Sequence, residues 1–194
     1  MPMPFDAQSD ATDDALLARF ARGDRVAAQS LTLRLTPRAF AQAKRMLNDV
    51  TEAEDVAQEA MLRLWRIAPD WRPGEAKVTT WLYRVVANLC TDRLRRRRGV
   101  GLDAIAEPED PAPGAERLLQ DRDRASALET ALQALPERQR EAVVLRHLDG
   151  CANPEIAEIM GVGVEAVESL IARGKRKLSE LLGGAKDELG YEET

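Results

Sequence analysis

The chain has 194 residues, enough for one or two small domains, and its apolar content is mostly aliphatic, with aromatic residues at only 4%. That mix favours helices over sheets, and no apolar run approaches the ~18 residues of a membrane span, so membrane insertion is not expected. A net charge of −5 argues against a generally basic nucleic-acid coat, and Cys90 and Cys151, single and far apart, suggest neither a disulfide nor a zinc site.

The polar, acidic start from Met1 to Asp14 does not read as a signal peptide, so a cytoplasmic protein is expected. Residues 1–12 form a tail. Asp13 to Phe20 reads as a first short helix with Leu16, Leu17 and Phe20 on its apolar face. Asp24 to Leu47 is helical in pattern, with a break expected at Thr36-Pro37, where Pro37 can open a new helix. Thr51-Glu52-Ala53-Glu54 has the form of a capping box, and the helix after it carries an apolar stripe at Ala53, Val56, Ala57, Ala60, Met61, Leu64 and Ile67. A further helix is expected from Val78 to Arg98, with Leu82, Val85, Val86 and Leu89 inward. Charge is uneven here. Arg72 to Arg98 holds eight basic residues against two acids, whereas Gly101 to Asp123 holds seven acids against two arginines. A basic segment beside an acidic one points to a local anionic ligand that the acidic stretch can imitate.

Residues 100–114, rich in proline and acid, read as a flexible linker. Helical pattern resumes near Ala115, runs to Pro136, and starts again from Pro136 to Leu148. Residues 153–172 then give a short helix, a tight turn and a second helix. Asn153 suits the cap, Pro154 the first turn, Ala157 a close helix crossing, Gly161 a turn with positive φ, and Val167 the return to the core. This is the helix-turn-helix spacing, which serves to place a helix in a DNA groove. Val164, Val167 and Ile171 are expected to face inward, and residues 184–194 to form a tail. The expected fold is all-α: two small helical domains, 13–99 and 115–183, joined by a flexible acidic linker, with a helix-turn-helix in the second. His147, the only histidine, lacks a nucleophile, metal cluster or phosphate-cradling glycine loop around it. It reads as a packing or capping residue, and neither a cofactor nor an enzymatic activity is expected.

Two outward faces carry the chemistry. Asp55, Gln58, Glu59 and Leu62 share one side of the Thr51 helix. It reads as a solvated face or, since Leu62 interrupts the polar residues, as an interface for a basic, partly apolar partner. Trp81, Arg84, Asn88 and Arg95 share a face of the Val78 helix. It reads as a basic solvated helix or as phosphate pairing with base stacking on Trp81, worth roughly 1–3 kcal/mol per base.

Taken in order, Glu54-Asp55-Val56-Ala57-Gln58-Glu59-Ala60-Met61-Leu62-Arg63-Leu64-Trp65 resembles the polymerase-binding helix of bacterial sigma factors. Thr80-Trp81-Leu82-Tyr83-Arg84 through Arg98 resembles their helix at the upstream edge of the transcription bubble. Leu135-Pro136-Glu137-Arg138-Gln139-Arg140-Glu141 with the helix-turn-helix resembles their promoter-binding C-terminal domain. The short two-domain layout resembles the extracytoplasmic-function (ECF) group.

The resemblance implies a sigma factor that binds core RNA polymerase through Asp55, Gln58, Glu59 and Leu62 and directs promoter-specific initiation, with a stress-response regulon expected. The minus-ten element would meet Lys77, Thr79, Thr80, Trp81, Arg84, Asn88, Arg95 and Arg96. The minus-thirty-five element would meet Arg138, Arg140, Glu165, Ser169, Arg173, Lys175 and Arg176. It also implies control by an anti-sigma factor and a linker threading polymerase. The chain departs from the common ECF pattern at Ala166, Glu168 and Leu170, where Thr, Lys and Arg are frequent. Its second motif helix is therefore weakly basic and is expected to be a poor DNA binder alone. Two rival readings stay open: a sigma-like decoy for an anti-sigma factor, and a conventional helix-turn-helix regulator.

Overall fold

The computed structural model describes residues 11–99 and 126–188, with side chains described to residues 98 and 183 of the two stretches. Every regular element among the described residues is helical. The expected N-terminal tail to residue 10, the linker, the helix start near Ala115 and the end of the C-terminal tail lie outside them.

The first helix, α1 (Asp13–Ala21), starts at Thr12, whose Oγ1 accepts from the Ala15 N–H. Asp24 caps α2 (Arg25–Leu47) by accepting from the N–H groups of Val26 and Ala27. Contrary to expectation, α2 passes through Pro37 without a break. Leu31, Leu35, Ala39 and Ala43 keep their four-residue spacing across the proline and are all buried, so core packing outweighs the lost hydrogen bond. Pro37 itself is exposed, where water can serve the freed carbonyl. Asn48 ends α2 in the left-handed region at φ 52°. Asp49, not Thr51, caps α3 (Val50–Ile67), its carboxylate accepting from the Glu52 N–H at 2.9 Å. The helix thus starts one residue before Thr51, which removes the expected capping box.

The helix α4 (Val78–Gly99) crosses α2 and α3. Leu16, Leu31, Leu35, Met46, Val56, Leu64, Leu82 and Val86 form the fully buried centre of this first domain. Gln42 lies inside it and donates to the Tyr83 carbonyl at 3.2 Å, tying α2 to α4. The C-terminal end of α4 is held to α3: Arg93 donates to the Glu52 carbonyl, and Arg97 pairs with Asp49 and Glu52.

The second domain contains α5 (126–133), α6 (Glu137–Val143) with its π turn Val144–Leu148, α7 (Asn153–Met160) and α8 (Val164–Glu188). Asn153 is the first helical residue of α7 and does not cap it. Glu155 performs the capping instead, accepting from the Ala152 N–H at 2.9 Å. Gly161 turns the chain at φ 64°, as its place in the motif required. Val167 is fully buried, but Val164, at the first turn of α8, is 40% exposed. The helix also continues beyond its expected end at Leu182.

The domains meet where α4 lies against α7 and the π turn. Tyr83 and Ala87 pack into a cluster with Ala142, Leu145, Cys151 and Ile156. Burial pushes the Tyr83 hydroxyl and both thiols up to about 12, as expected of cysteines that serve packing. Beside this seam, burial pushes the Glu141 carboxyl from 4.5 to about 7, with Arg138 opposing the shift. The folded chain therefore holds this proton more tightly than the unfolded one. The resulting stability is complete below about pH 4.5 and is lost as pH rises through 7. Glu141→Gln should raise the unfolding free energy above pH 7 by roughly 2 kcal/mol and flatten its dependence between those values. Urea titrations across that range check this; an unchanged slope would show that Glu141 ionises freely in the fold.

Candidate functional site

Three surfaces collect the expected site residues. On α3, Asp55 and Gln58 are exposed, Leu62 is 43% exposed, and Glu59 is tied to Arg63 at 2.8 Å, which lowers its pKa. Gln58 and Leu62 form one wall of an apolar groove of roughly 750 Å³. Leu33, Phe40, Met61 and Trp65 add most of its remaining large apolar lining, Glu54 adds a carboxylate, and Leu33 is 62% exposed. Leu33 was missed from the sequence, although an apolar residue out of phase with the α2 stripe was available as a signal. An open apolar groove beside carboxylates suits a helix that is basic with apolar anchors.

The second surface lies along α4 and the turn before it. Arg84, Asn88, Arg95 and Arg96 are exposed in line. Trp81 is half-buried, its ring edge-on to Trp71 with centroids 6.2 Å apart, and the Trp71 indole donates to Asp14. Trp81 is thus a braced platform with one side open. Lys77, Thr79 and Thr80 stand nearer the second domain. Thr80 is buried, and Lys77 pairs with Glu155 at 2.6 Å, which raises the lysine's pKa and lowers the glutamate's.

The basic run is less available than its charge suggests. Arg72 pairs with Glu75, Arg95 with Asp92, and Arg98 with Glu137. With Arg97 spent on α3 and Lys77 on α7, the exposed cations without an ion pair on this surface are Arg84 and Arg96, among the described residues.

The third surface is α8. Glu165, Ser169, Arg173, Lys175 and Arg176 are exposed. Glu168, one of the departures from the common pattern, is exposed too, with Asn153 of α7 donating to it at 3.5 Å. Arg138 is exposed but donates to the Met160 carbonyl, bracing the motif's turn. Arg140 cannot join this surface in the described state. It is 7% exposed and points the other way, donating to the Met46 carbonyl at 2.7 Å and to Gln133. Desolvation lowers its pKa. His147 corrects another expectation. It is exposed beside Arg146 and Lys175 in a groove along α8, with its pKa lowered by desolvation and by Lys175.

A groove between α2 and α3, a basic tryptophan helix and a helix-turn-helix follow one another in the order that the resemblance to sigma factors implies. Residues 31–100 match the family Sigma-70 region 2, and residues 125–178 match Sigma-70, region 4. The chain is 36% identical over 179 residues to the ECF RNA polymerase sigma factor SigM of Mycobacterium tuberculosis, covering 92% of this chain and 89% of that one. It is 32% identical to the RNA polymerase sigma-H factor of Pseudomonas aeruginosa, covering 88% and 93%. Among solved structures, CnrH in complex with the cytosolic domain of CnrY superposes with a TM-score of 0.65 at 31% identity, covering 89% and 97%. The chain belongs to the sigma-70 family of RNA polymerase sigma factors, in its extracytoplasmic-function group. Members of this family are transcription initiation factors and not enzymes. Among the described residues, no helix is long and apolar enough to cross a membrane.

Proposed function

We propose that this protein docks on core RNA polymerase through the α3 groove and carries it to a subset of promoters. In this reading Asp55, Gln58 and Leu62 grip polymerase, with Glu59 giving long-range charge. Trp81, Arg84, Asn88, Arg95 and Arg96, with Lys77, Thr79 and Thr80 beside them, engage the melting minus-ten element. Glu165, Ser169, Arg173, Lys175 and Arg176 face the minus-thirty-five element, with Arg138 supporting the turn. The bond chemistry is the polymerase's own, and work beside polymerase places the protein in the cytoplasm. CnrH binds the cytosolic domain of CnrY, and an anti-sigma partner is proposed here on that likeness.

The observation that carries this reading is the α3 groove, an apolar surface lined by Glu54, Gln58 and Leu62 on the same chain as a helix-turn-helix. A regulator that binds DNA alone has no need of it. Run-off transcription with purified core polymerase on genomic fragments tests it. Transcripts starting at defined promoters are expected. Failure to bind polymerase would overturn the reading, and binding without transcription would favour the decoy.

A further inference from the structure

A cluster of nitrogen side chains lies partly outside both helices of the helix-turn-helix. Arg146 and His147 stand side by side on the π turn Val144–Leu148, and both are exposed. This turn sets two consecutive side chains on the surface while Val144 and Leu145 stay buried. Arg146 donates to the Cys151 carbonyl at 3.0 Å, which holds its guanidinium near the start of α7. Lys175 comes from the middle of α8. The three line a groove of about 520 Å³ with Asn153, Glu168 and Ala172. Neither His147 nor Lys175 has a hydrogen-bond or ion-pair partner among the described residues. The one carboxylate in the groove, Glu168, accepts from Asn153 at 3.5 Å. The groove on the other flank of His147, toward α5, brings no charged residue besides Lys175.

Two fixed cations and an imidazole thus outnumber one carboxylate. Because α7 begins at Asn153, the positive end of its backbone dipole adds to the same field. In helical register Glu165, Ser169, Ala172 and Arg176 share an exposed face of α8, while Glu168, Ala172 and Lys175 line the groove. The groove therefore adjoins the face proposed for the minus-thirty-five element. A duplex whose major groove takes that face brings a sugar–phosphate strand alongside. We infer that Arg146, His147 and Lys175 bind a backbone phosphate of duplex promoter DNA, and that His147 takes up a proton as the phosphate enters, so that this DNA is held more tightly as pH falls. This rests on the sigma-factor reading and adds Arg146, His147 and a pH response to it.

The direction of that response follows from the neighbours. In the free chain desolvation, Lys175 and Arg146 all lower the His147 pKa. A phosphate oxygen among them supplies the negative charge that favours the imidazolium. Binding therefore takes up a proton, and affinity climbs as pH falls through the imidazole range.

His147 is the only histidine, so full-length protein carrying isotope-labelled histidine gives a single imidazole signal by NMR. The probe is a mixed-sequence DNA duplex of about 20 base pairs at low salt, since a phosphate contact carries no sequence information. The imidazole should titrate at higher pH with saturating duplex than without it. Duplex affinity should rise about three- to tenfold from pH 8 to pH 6. His147→Gln should lose that rise, and His147→Lys should bind at about pH 8 as tightly as wild type does at about pH 6. Lys175→Gln should lower the slope of log affinity against log salt by about 1 at every pH. All these positions are exposed, and circular dichroism checks the fold of each variant. Glu141 and Asp149, raised by burial to about 7 and about 6, titrate in the same window, so the quantity read is the difference between wild type and His147→Gln. An imidazole that titrates alike with and without duplex, an undiminished rise in His147→Gln, or no binding of the duplex by wild type would each overturn the inference. Core-polymerase binding is measured alongside: its retention leaves the sigma reading standing whichever way the titration falls, and its absence sinks that reading instead.

Discussion

Replacing Asp55 and Gln58 together by alanine should weaken core-polymerase binding by roughly 10- to 100-fold, while helicity stays at the wild-type level. Both side chains are exposed in the middle of α3, and neither makes a hydrogen bond or ion pair among the described residues. Alanine is the better helix former at both positions, so the helix itself gains nothing by keeping them. Their loss should be felt only by a partner. Leu62→Ala should add to the effect by removing the apolar anchor beside them. Glu59→Ala should matter less, because Arg63 already holds that carboxylate. Titration of labelled polymerase against each variant, with circular dichroism alongside, checks the order. Unaltered affinity in the double variant would remove this face from the polymerase interface, and a fall in helicity would make the two residues structural.

What was legible in the sequence was what local chemistry decides. Gly161 marks the motif turn because a left-handed residue was needed there, and it sits at φ 64°. The α3 stripe was legible because six of its seven apolar positions point into one buried surface. What local chemistry leaves open was less legible. Thr51 and Asp49 are both good caps two residues apart, so cap preference does not choose between them, and the helix takes Asp49. Pro37 is a strong breaker that tertiary burial on both sides overrides. The basic run was read correctly as charge and incorrectly as available charge. The partners of Lys77, Arg97 and Arg98 lie 39 to 78 residues away, beyond any periodicity. For the same reason Arg140 was placed on DNA when it belongs to the domain seam, and Tyr83 and Ala87 were not singled out. A helix with two buried sides shows its second partner only once the domains meet.

The other large effect lies in α8, at a glycine flanked by proposed DNA contacts. Gly174→Ala should destabilise the second domain by about 1–3 kcal/mol, although alanine favours a helix over glycine by about 1 kcal/mol. A Cβ at this position would stand 2.6 Å from Val143 Cγ2 and 3.3 Å from the Gln139 carbonyl oxygen. One obstacle is a β-branched side chain with few rotamers, the other backbone, so α8 would have to lift from α6. Gly183, on the same helix, has open space around its missing Cβ, and Gly183→Ala should therefore stabilise by a few tenths of a kcal/mol or more. The opposite signs of two identical substitutions separate close packing from helix propensity. Val143→Ala should cost stability alone but lose much of that cost beside Gly174→Ala, a coupling that a double-mutant cycle reads from thermal unfolding. The functional reach follows from geometry. Glu165, Ser169 and Arg173 aim from the helix that Gly174 seats, so lifting α8 should reduce transcription from promoters that depend on the minus-thirty-five element and leave docking through α3 intact. Stabilisation by Gly174→Ala, equal to that at Gly183, would show that α6 and α8 do not approach as closely as their backbone positions require.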